Sequence, residues 1–352
     1  MTLDDRFIAR IITGLEPVAS VLLAILLAHL LGATNISWAA FAGYAVIRGL
    51  ASETLTRGVR RFGGTIAGGL LALVIVPLAA PYWPLAAGAL FIIGAASIYA
   101  ALTTHHAYAW LFVGLTFAMV LLDKVDMPGA GVPAFVQTRI IETAAGTFAC
   151  VVVSLISSAT LRRLWPGTAS AAPTPVRWHA DAARHAVEGG LALATLAILS
   201  HWLAIPALAQ GAISIMAVMV VPLSDVGDNN LKPVTTRLIH RLIGCALGGA
   251  FALVWLLLAK GATAPLIAGT MTGVFIGRWI ETGNPAYRYI GFQFAFTVLI
   301  TLVPDNYAHA EIGPGIERLT GVVIGMLILE PILILSYLLR GKARRSEPET
   351  PA

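Results

Sequence analysis

The chain has 352 residues, of which 58% are hydrophobic and only 12% are charged. Because soluble domains carry about 25% charged residues, this composition excludes an ordinary water-soluble fold and is typical of a helical membrane protein. The formal net charge of +5 reflects how basic residues are distributed about the membrane, and we expect no nucleic-acid partner from it.

Apolar segments of membrane-spanning length, about 17–25 residues, recur along the whole chain. They predict an all-α, polytopic membrane protein with about twelve transmembrane helices. In chain order, the predicted helices lie at residues 14–31, 36–51, 61–80, 84–102, 107–122, 139–161, 184–204, 206–222, 238–259, 264–280, 287–303 and 316–338.

The basic residues predict how these helices are oriented in the membrane. If the N-terminus lies in the cytoplasm and the helices alternate, all but four of the 23 Lys and Arg residues lie on the cytoplasmic side. The exceptions are Lys124, Arg139, Lys260 and Arg318. This asymmetry predicts cytoplasmic N and C termini. It also supports twelve helices, because one misplaced helix would scramble the distribution.

Three segments of the first half recur in the second half at a nearly constant offset. The matched segments are 57–69 with 237–249, 139–146 with 318–325, and 107–108 with 286–287, at offsets of 180, 179 and 179. Because six helices return the chain to the side where it started, the matches predict two parallel six-helix repeats within the bilayer.

This duplication divides the chain into four predicted parts. The first repeat covers residues 1–165 and the second covers residues 184–340. Between them, residues 166–183 form a Pro-containing cytoplasmic linker, and residues 341–352 form a disordered cytoplasmic tail. No segment outside the predicted helices is long enough for a soluble catalytic domain, so we assign the function to the helical bundle.

Four arginines are candidate substrate ligands at the predicted cytoplasmic boundary. Arg57 and Arg61 are spaced i,i+4 on one helix face, and Arg237 and Arg241 repeat this spacing. A guanidinium stays charged and binds carboxylates through two parallel hydrogen bonds. Ordinary anchoring of the helix at the cytoplasmic surface is the alternative, above all for Arg57, so Arg61 and Arg241 are the better candidates.

Two further candidate ligands, Arg139 and Arg318, begin the last helix of each repeat, on the side where basic residues are scarce. Glu142 lies one turn after Arg139, and Glu317 directly precedes Arg318. A structural ion pair and an anion-attracting exit gate are both compatible with this arrangement.

Carboxylates inside the predicted spans are candidates for proton coupling, because a charge at the centre of a membrane helix costs about 2.5–3.5 kcal/mol. Glu330 is the deepest of them and precedes Pro331, which is expected to kink the helix. A proton or substrate site is one interpretation of Glu330. A structural pair with Arg278 or Arg241 is the other.

Three more carboxylates complete the set of coupling candidates. Glu16 and Glu188 open the first helix of each repeat, where the helix dipole alone would stabilise them. Glu142 is the third, beside Arg139.

The sequence predicts neither a metal site nor a cofactor. Cys150 and Cys245 lie in apolar helices, as small buried residues do. His105 and His106 are adjacent and point to different helix faces, with no further ligand at a suitable spacing. Nucleotide-binding and hydrolase motifs are absent from the sequence. We therefore expect no enzymatic activity.

Two motifs resemble those of the fusaric acid resistance, or aromatic acid exporter, family. The residues concerned are Arg61, Gly64, Thr65 and Gly68 in the first motif and Arg139, Glu142, Thr143 and Gly146 in the second. The six-plus-six layout is also similar, and the resemblance covers nearly all of the chain. The sequence departs from the family in having no sizeable domain between its halves, and in having Cys245 where the motif prefers threonine.

The resemblance implies export of small, often aromatic, carboxylates across the bacterial inner membrane. The leading hypothesis is a proton-coupled secondary transporter in which Arg61 and Arg241 attract the anion and Glu330, or Glu16 with Glu188, carries the proton. Candidate partners are a periplasmic adaptor and a second copy of the chain. The alternatives are a passive organic-anion channel related to plant malate channels, and an intramembrane enzyme or scaffold for lipid-linked substrates.

Overall fold

The computed structural model describes residues 3–126, 131–168, 178–203, 205, 207–226 and 231–346. Within these ranges the chain is all-helical, without a β-strand. The helices are α1 (Leu3–Leu30), α2 (Ile36–Ala45), α3 (Ala51–Ala79), α4 (Trp83–Thr103), α5 (Ala107–Asp126), α6 (Val132–Ala159), α7 (Leu161–Leu164), α8 (Ala180–Trp202), α9 (Leu208–Met219), α10 (Leu231–Ala259), α11 (Thr263–Glu281), α12 (Arg288–Leu302) and α13 (Gly313–Ser346).

Every predicted helix has a counterpart among these elements, and α7 is an additional four-residue turn. In the described part of the chain, eight helices are long and apolar enough to cross a membrane: α1, α3, α4, α5, α6, α8, α10 and α13. By contrast, α2, α9 and α12 have only 10, 12 and 15 residues. The chain is therefore a multi-pass helical membrane protein, and twelve complete spans remain a prediction.

Two arginines stabilise the ends of the short helices α2 and α9. Arg57 donates a hydrogen bond from Nε to the carbonyl of Ala45 at 3.2 Å, and Arg237 donates from Nη1 to the carbonyl of Val220. The last carbonyls of a helix lack partners within that helix. Each arginine therefore satisfies a carbonyl where a short helix stops inside the bundle, which is a structural role for two predicted ligands.

The short helices lie where the two halves of the chain meet. Helix α5 packs against α9, and α12 packs against α2. A second pair of contacts joins α4 with α8 and α11 with α1. If α1–α6 correspond to α8–α13, each of these contacts has its counterpart in the other half. A duplication would produce this pattern, and the two six-helix repeats stay a prediction.

Glycines allow α3 to approach α5 and α10 to approach α12. A Cβ atom at any of them would lie within about 2.6 Å of a carbonyl oxygen of the neighbouring helix. The close pairs are Gly64 with Ala109, Gly68 with Val113, Gly244 with Ile290, and Gly248 with Phe294. These pairs relate α12 to α5 by an offset of 181 in residue number. The predicted match of residues 107–108 with 286–287 is therefore wrong by two positions, and Tyr289 is the counterpart of Tyr108.

Parts of the predicted linker and tail lie outside the described residues. Of the linker 166–183, residues 169–177 are not described, and α8 begins at Ala180. Helix α13 continues to Ser346, and residues 347–352 are not described. The linker and the disordered tail stay predictions.

Candidate functional site

A cavity of about 840 Å³ opens between the halves, near the C-terminal ends of α2 and α9. Seven Lys and Arg side chains line it: Arg48, Arg57, Lys232, Arg237, Arg241, Arg288 and Arg318. Among the described residues, its acidic lining consists of Asp225 and Glu281. Glu281 already accepts hydrogen bonds from Arg278 at 3.1 Å and from the Tyr44 hydroxyl at 2.7 Å. This cationic cavity therefore has a positive electrostatic potential that attracts anions.

A second cavity, of about 830 Å³, lies at the opposite ends of α5 and α12. Its charged lining residues are Asp123, Lys124, Arg139, Asp305, Glu311 and Glu317. Carboxylates therefore outnumber basic groups in this acidic cavity. Along α12, Ile300 and Thr301 line the acidic cavity, whereas the residues that line the cationic cavity are Arg288, Tyr289, Phe292, Gln293 and Phe296. The two cavities thus approach each other from opposite ends of the same helices.

Three aromatic rings lie between the two cavities. Trp38 lines both of them. Its ring centroid is 6.0 Å from those of Phe41 and Phe296, which are 3.8 Å from each other. We call these residues the ring triad. In α12 only one helical turn, about 6 Å, separates Phe296 in one cavity from Ile300 in the other. The ring triad therefore forms an apolar part of the barrier, about one turn thick, and beside it Arg318 of the cationic cavity contacts Gln210 of the acidic cavity.

Two buried arginines converge on one neutral side chain at the inner end of the cationic cavity. Arg241 donates from Nη1 to Gln293 Oε1 at 3.1 Å, and Arg318 donates from Nη2 to the same oxygen at 2.6 Å. Arg241, Arg318 and Gln293 are 2%, 1% and 1% exposed. Among the described residues, no carboxylate forms an ion pair with either arginine.

The corresponding arginines of the first half have other surroundings. Arg61 donates to the Tyr108 hydroxyl at 3.1 Å and lies against the rings of Phe112 and Phe41, 4.1 and 4.8 Å from their centroids. It is not among the described residues that line either cavity.

Arg139 lines the acidic cavity and forms a 3.3 Å ion pair with Glu142. Its guanidinium also lies 4.6 Å from the ring of Trp38. The ion pair predicted for Arg139 is thus present. The pair of Arg318 with Glu317 is not found among the described residues, because Glu317 is exposed while Arg318 turns into the protein.

The carboxylates at the start of each half bind a serine of the last helix of the same half. Glu16 accepts from Ser157 at 2.5 Å, and Glu188 accepts from Ser336. Glu16 also receives two hydrogen bonds from Arg162, at 2.7 and 2.6 Å. The two serines are related by the same offset of 179 that the sequence predicts for these helices.

Arg162→Ala is expected to destabilise the protein by about 3–5 kcal/mol, because it would leave the Glu16 carboxylate buried without its cation. Thermal unfolding of purified protein in detergent measures the effect. The control is Arg184→Ala, which removes an exposed ion pair with Asp181 and should change stability by less than about 0.5 kcal/mol. An equal loss of stability in both variants would mean that the Arg162–Glu16 pair stabilises the protein no more than an exposed ion pair does.

Glu330 forms no ion pair with Arg278 or Arg241 in the described part of the chain. Arg278 pairs with Glu281, and Arg241 binds Gln293, so the predicted pairing is wrong. Oxygen Oε1 of Glu330 is buried without a hydrogen-bond partner in the described part of the chain. Glu330 is also not among the described lining residues of either cavity.

Sequence reasoning missed Gln293 and the role of the ring triad as a barrier. Gln293 is an amide in the middle of α12, between Phe292 and Phe294. A strongly polar side chain in the middle of a membrane helix is a sign of function, and this signal was available in the sequence. The significance of the triad depends on which rings meet across the interface, and no local spacing reveals that.

By their length and composition, the apolar helices define a multi-pass membrane protein. A family model described as fusaric acid resistance protein-like matches residues 23–153 and 191–329. The chain belongs to this family. The two matched segments lie one in each half of the chain. No curated protein and no solved structure matches it.

Proposed function

We propose that the chain is a secondary transporter that exports small aromatic carboxylates through the bacterial inner membrane. The cationic cavity supports this proposal, because its inner end combines two arginines with the rings of Phe41, Phe292 and Phe296. The two arginines, Arg241 and Arg318, lack carboxylate partners among the described residues. A guanidinium binds a carboxylate through charge-assisted hydrogen bonds. Aromatic side chains bind an aromatic ring by stacked or edge-to-face packing.

In this proposal the cationic cavity faces the cytoplasm, because six of its seven basic residues, all but Arg318, then follow the positive-inside distribution. Arg57 and Arg237 line the outer part of the cavity and attract the anion, while Arg241 and Arg318 bind it. The two halves act as parallel repeats. Their relative rocking opens the ring triad and exposes the substrate to the acidic cavity on the periplasmic side.

Among the candidate coupling residues, Glu142 has the position that fits proton coupling best. It is 1% exposed and pairs with Arg139. Protonation of Glu142 would free Arg139, which lies against Trp38 of the barrier. Glu16 and Glu188 have structural partners, and Glu330 lies away from both cavities.

The test is uptake of labelled 4-hydroxybenzoate into inside-out vesicles or proteoliposomes with an acidic lumen. We expect accumulation above the external concentration, and a protonophore should abolish it. Glu142→Gln should permit only equilibration, whereas the control Asp181→Asn, at a residue that is not among the lining of either cavity, should still accumulate substrate. Equilibration by the unmodified protein would indicate a passive anion channel instead. An absence of movement under any gradient would refute the proposal.

A periplasmic adaptor and a homo-oligomer stay predictions from the family resemblance. The transport assay with purified protein tests the adaptor indirectly, because transport by the chain alone would show that the adaptor is dispensable for crossing the inner membrane.

A further inference from the structure

We propose that the two halves bind different parts of one ligand. The second half holds a single carboxylate at a site formed by Arg241, Gln293 and Arg318, and the first half holds the aromatic ring. This inference rests on the proposed function, which supplies the ligand class, an aromatic carboxylate. It adds which residues bind each part of that ligand. It differs from a symmetric arrangement in which Arg61 and Arg241 share the anion.

The positive charges of Arg241 and Arg318 are not neutralised by any carboxylate among the described residues. Both guanidinium groups donate to the single atom Gln293 Oε1, so the two donating nitrogens are neighbours around one oxygen. The other acceptors of Arg241 are the hydroxyls of Ser214 and Tyr289, at 3.2 and 3.5 Å. All of these partners are neutral. Two buried like charges repel strongly where water is excluded, and one bound carboxylate would remove most of this repulsion.

The surroundings of Arg318 are neutral as well. It donates to Thr297 Oγ1 at 3.1 Å and to Gln210 Oε1 at 3.5 Å, and its guanidinium lies 3.6 Å from the ring centroid of Phe296. These contacts fix the orientation of the side chain without neutralising its charge.

A hydrogen-bond donor is left over for a ligand. Nitrogen Nη2 of Arg241 is buried and has no hydrogen-bond partner among the described residues. Arg241 as a whole is only 2% exposed, and it lines the cationic cavity. Unpaired buried donors are rare because they cost free energy. A carboxylate bound from the cavity side would accept a hydrogen bond from Nη2 of Arg241.

The first half lacks a corresponding anion site. By the offset that relates α12 to α5, the counterpart of Gln293 is Phe112, whose ring lies 4.1 Å from the Arg61 guanidinium. The counterpart of Arg318 is Arg139, which already has the Glu142 carboxylate. The first half instead presents Trp38, Phe41 and Phe112 to the cationic cavity. An aromatic carboxylate would therefore meet Arg241 and Arg318 of the second half at one end, while its ring packs on first-half rings that face Phe292 and Phe296.

Gln293→Glu tests the inference because it replaces the side-chain amide with a carboxylate of nearly the same size and shape. The new carboxylate would pair with both arginines and occupy the site as a tethered anion. We expect the affinity for 4-hydroxybenzoate, measured by titration calorimetry in detergent, to fall at least about 30-fold. The melting temperature should stay equal or rise. Gln137→Glu makes the same chemical change at an exposed position and should leave the affinity unchanged.

A second pair of variants tests the asymmetry. Arg241→Gln should also lower the affinity at least about 30-fold, whereas Arg61→Gln should lower it less than about threefold. The neutral analogue 4-hydroxybenzamide should not bind measurably to the unmodified protein.

The outcomes separate this inference from the proposed function. If the unmodified protein binds 4-hydroxybenzoate and Gln293→Glu binds it equally well, the inference is overturned and the proposed function stands. Equal losses for Arg61→Gln and Arg241→Gln would overturn the asymmetry. If the folded, unmodified protein binds no aromatic carboxylate, the proposed function itself fails.

Discussion

Trp38→Ala is expected to join the cationic and acidic cavities and to produce a passive anion leak. Trp38 lines both cavities and contacts both other rings of the triad. Apolar constrictions block ions because water does not wet them. Removal of the indole leaves a gap that the surrounding structure fills only in part, so water and anions can cross a barrier one helical turn thick.

Anion conductance in planar bilayers or proteoliposomes measures this effect. We expect Trp38→Ala to conduct at least about tenfold more than the unmodified protein and to lose accumulation of substrate against its gradient. Trp110→Ala is the matched control, because Trp110 is 39% exposed on α5. An unchanged conductance in Trp38→Ala would show that another part of the structure forms the barrier.

Gly64→Ala is expected to lower the free energy of unfolding by about 3 kcal/mol, at the upper end of the range for overpacking. An added Cβ would lie 2.3 Å from the carbonyl oxygen of Ala109. Because this oxygen belongs to the backbone of α5, the clash can be relieved only by separating α3 from α5. Tight contact between small residues is a main source of helix association in membranes.

The neighbouring glycine provides the control for this substitution. Apart from its chain neighbours and the backbone of its own helix, a Cβ at Gly63 would have no atom of the described residues within 4 Å. Gly63→Ala should therefore be neutral, or stabilise the helix by up to about 1 kcal/mol. Thermal unfolding of both variants in the same detergent compares them. Equal melting temperatures would contradict the close approach of α3 and α5.

The positions of the helices could be predicted from the sequence because each one contains an apolar run. The lengths of α2 and α9 could not. These helices end where Arg57 and Arg237, from the following helices, hydrogen-bond to Ala45 and Val220. The two contacts span 12 and 17 residues, which is beyond the i,i+4 spacing that helical patterns reveal.

The types of residue that form the candidate site could be predicted from the sequence. Which of these residues contact each other could be predicted only in part. Arg139 and Glu142 are spaced i,i+3, so their ion pair is visible in the sequence. The site around Gln293 brings together α10, α12 and α13, with partners 25 and 52 residues away. For the same reason the sequence could not show that Arg61 and Arg241 have unlike surroundings.

The most direct measurement is a crystal structure with bound 4-bromobenzoate, in which anomalous scattering locates the bromine. We predict one strong bromine peak beside the rings of Trp38, Phe41 or Phe112, with density for the carboxylate between Arg241 and Arg318. A fully occupied ligand outside the cationic cavity, for example in the apolar groove beside Gly63 and Trp110, would contradict the proposal that this cavity binds the transported anion.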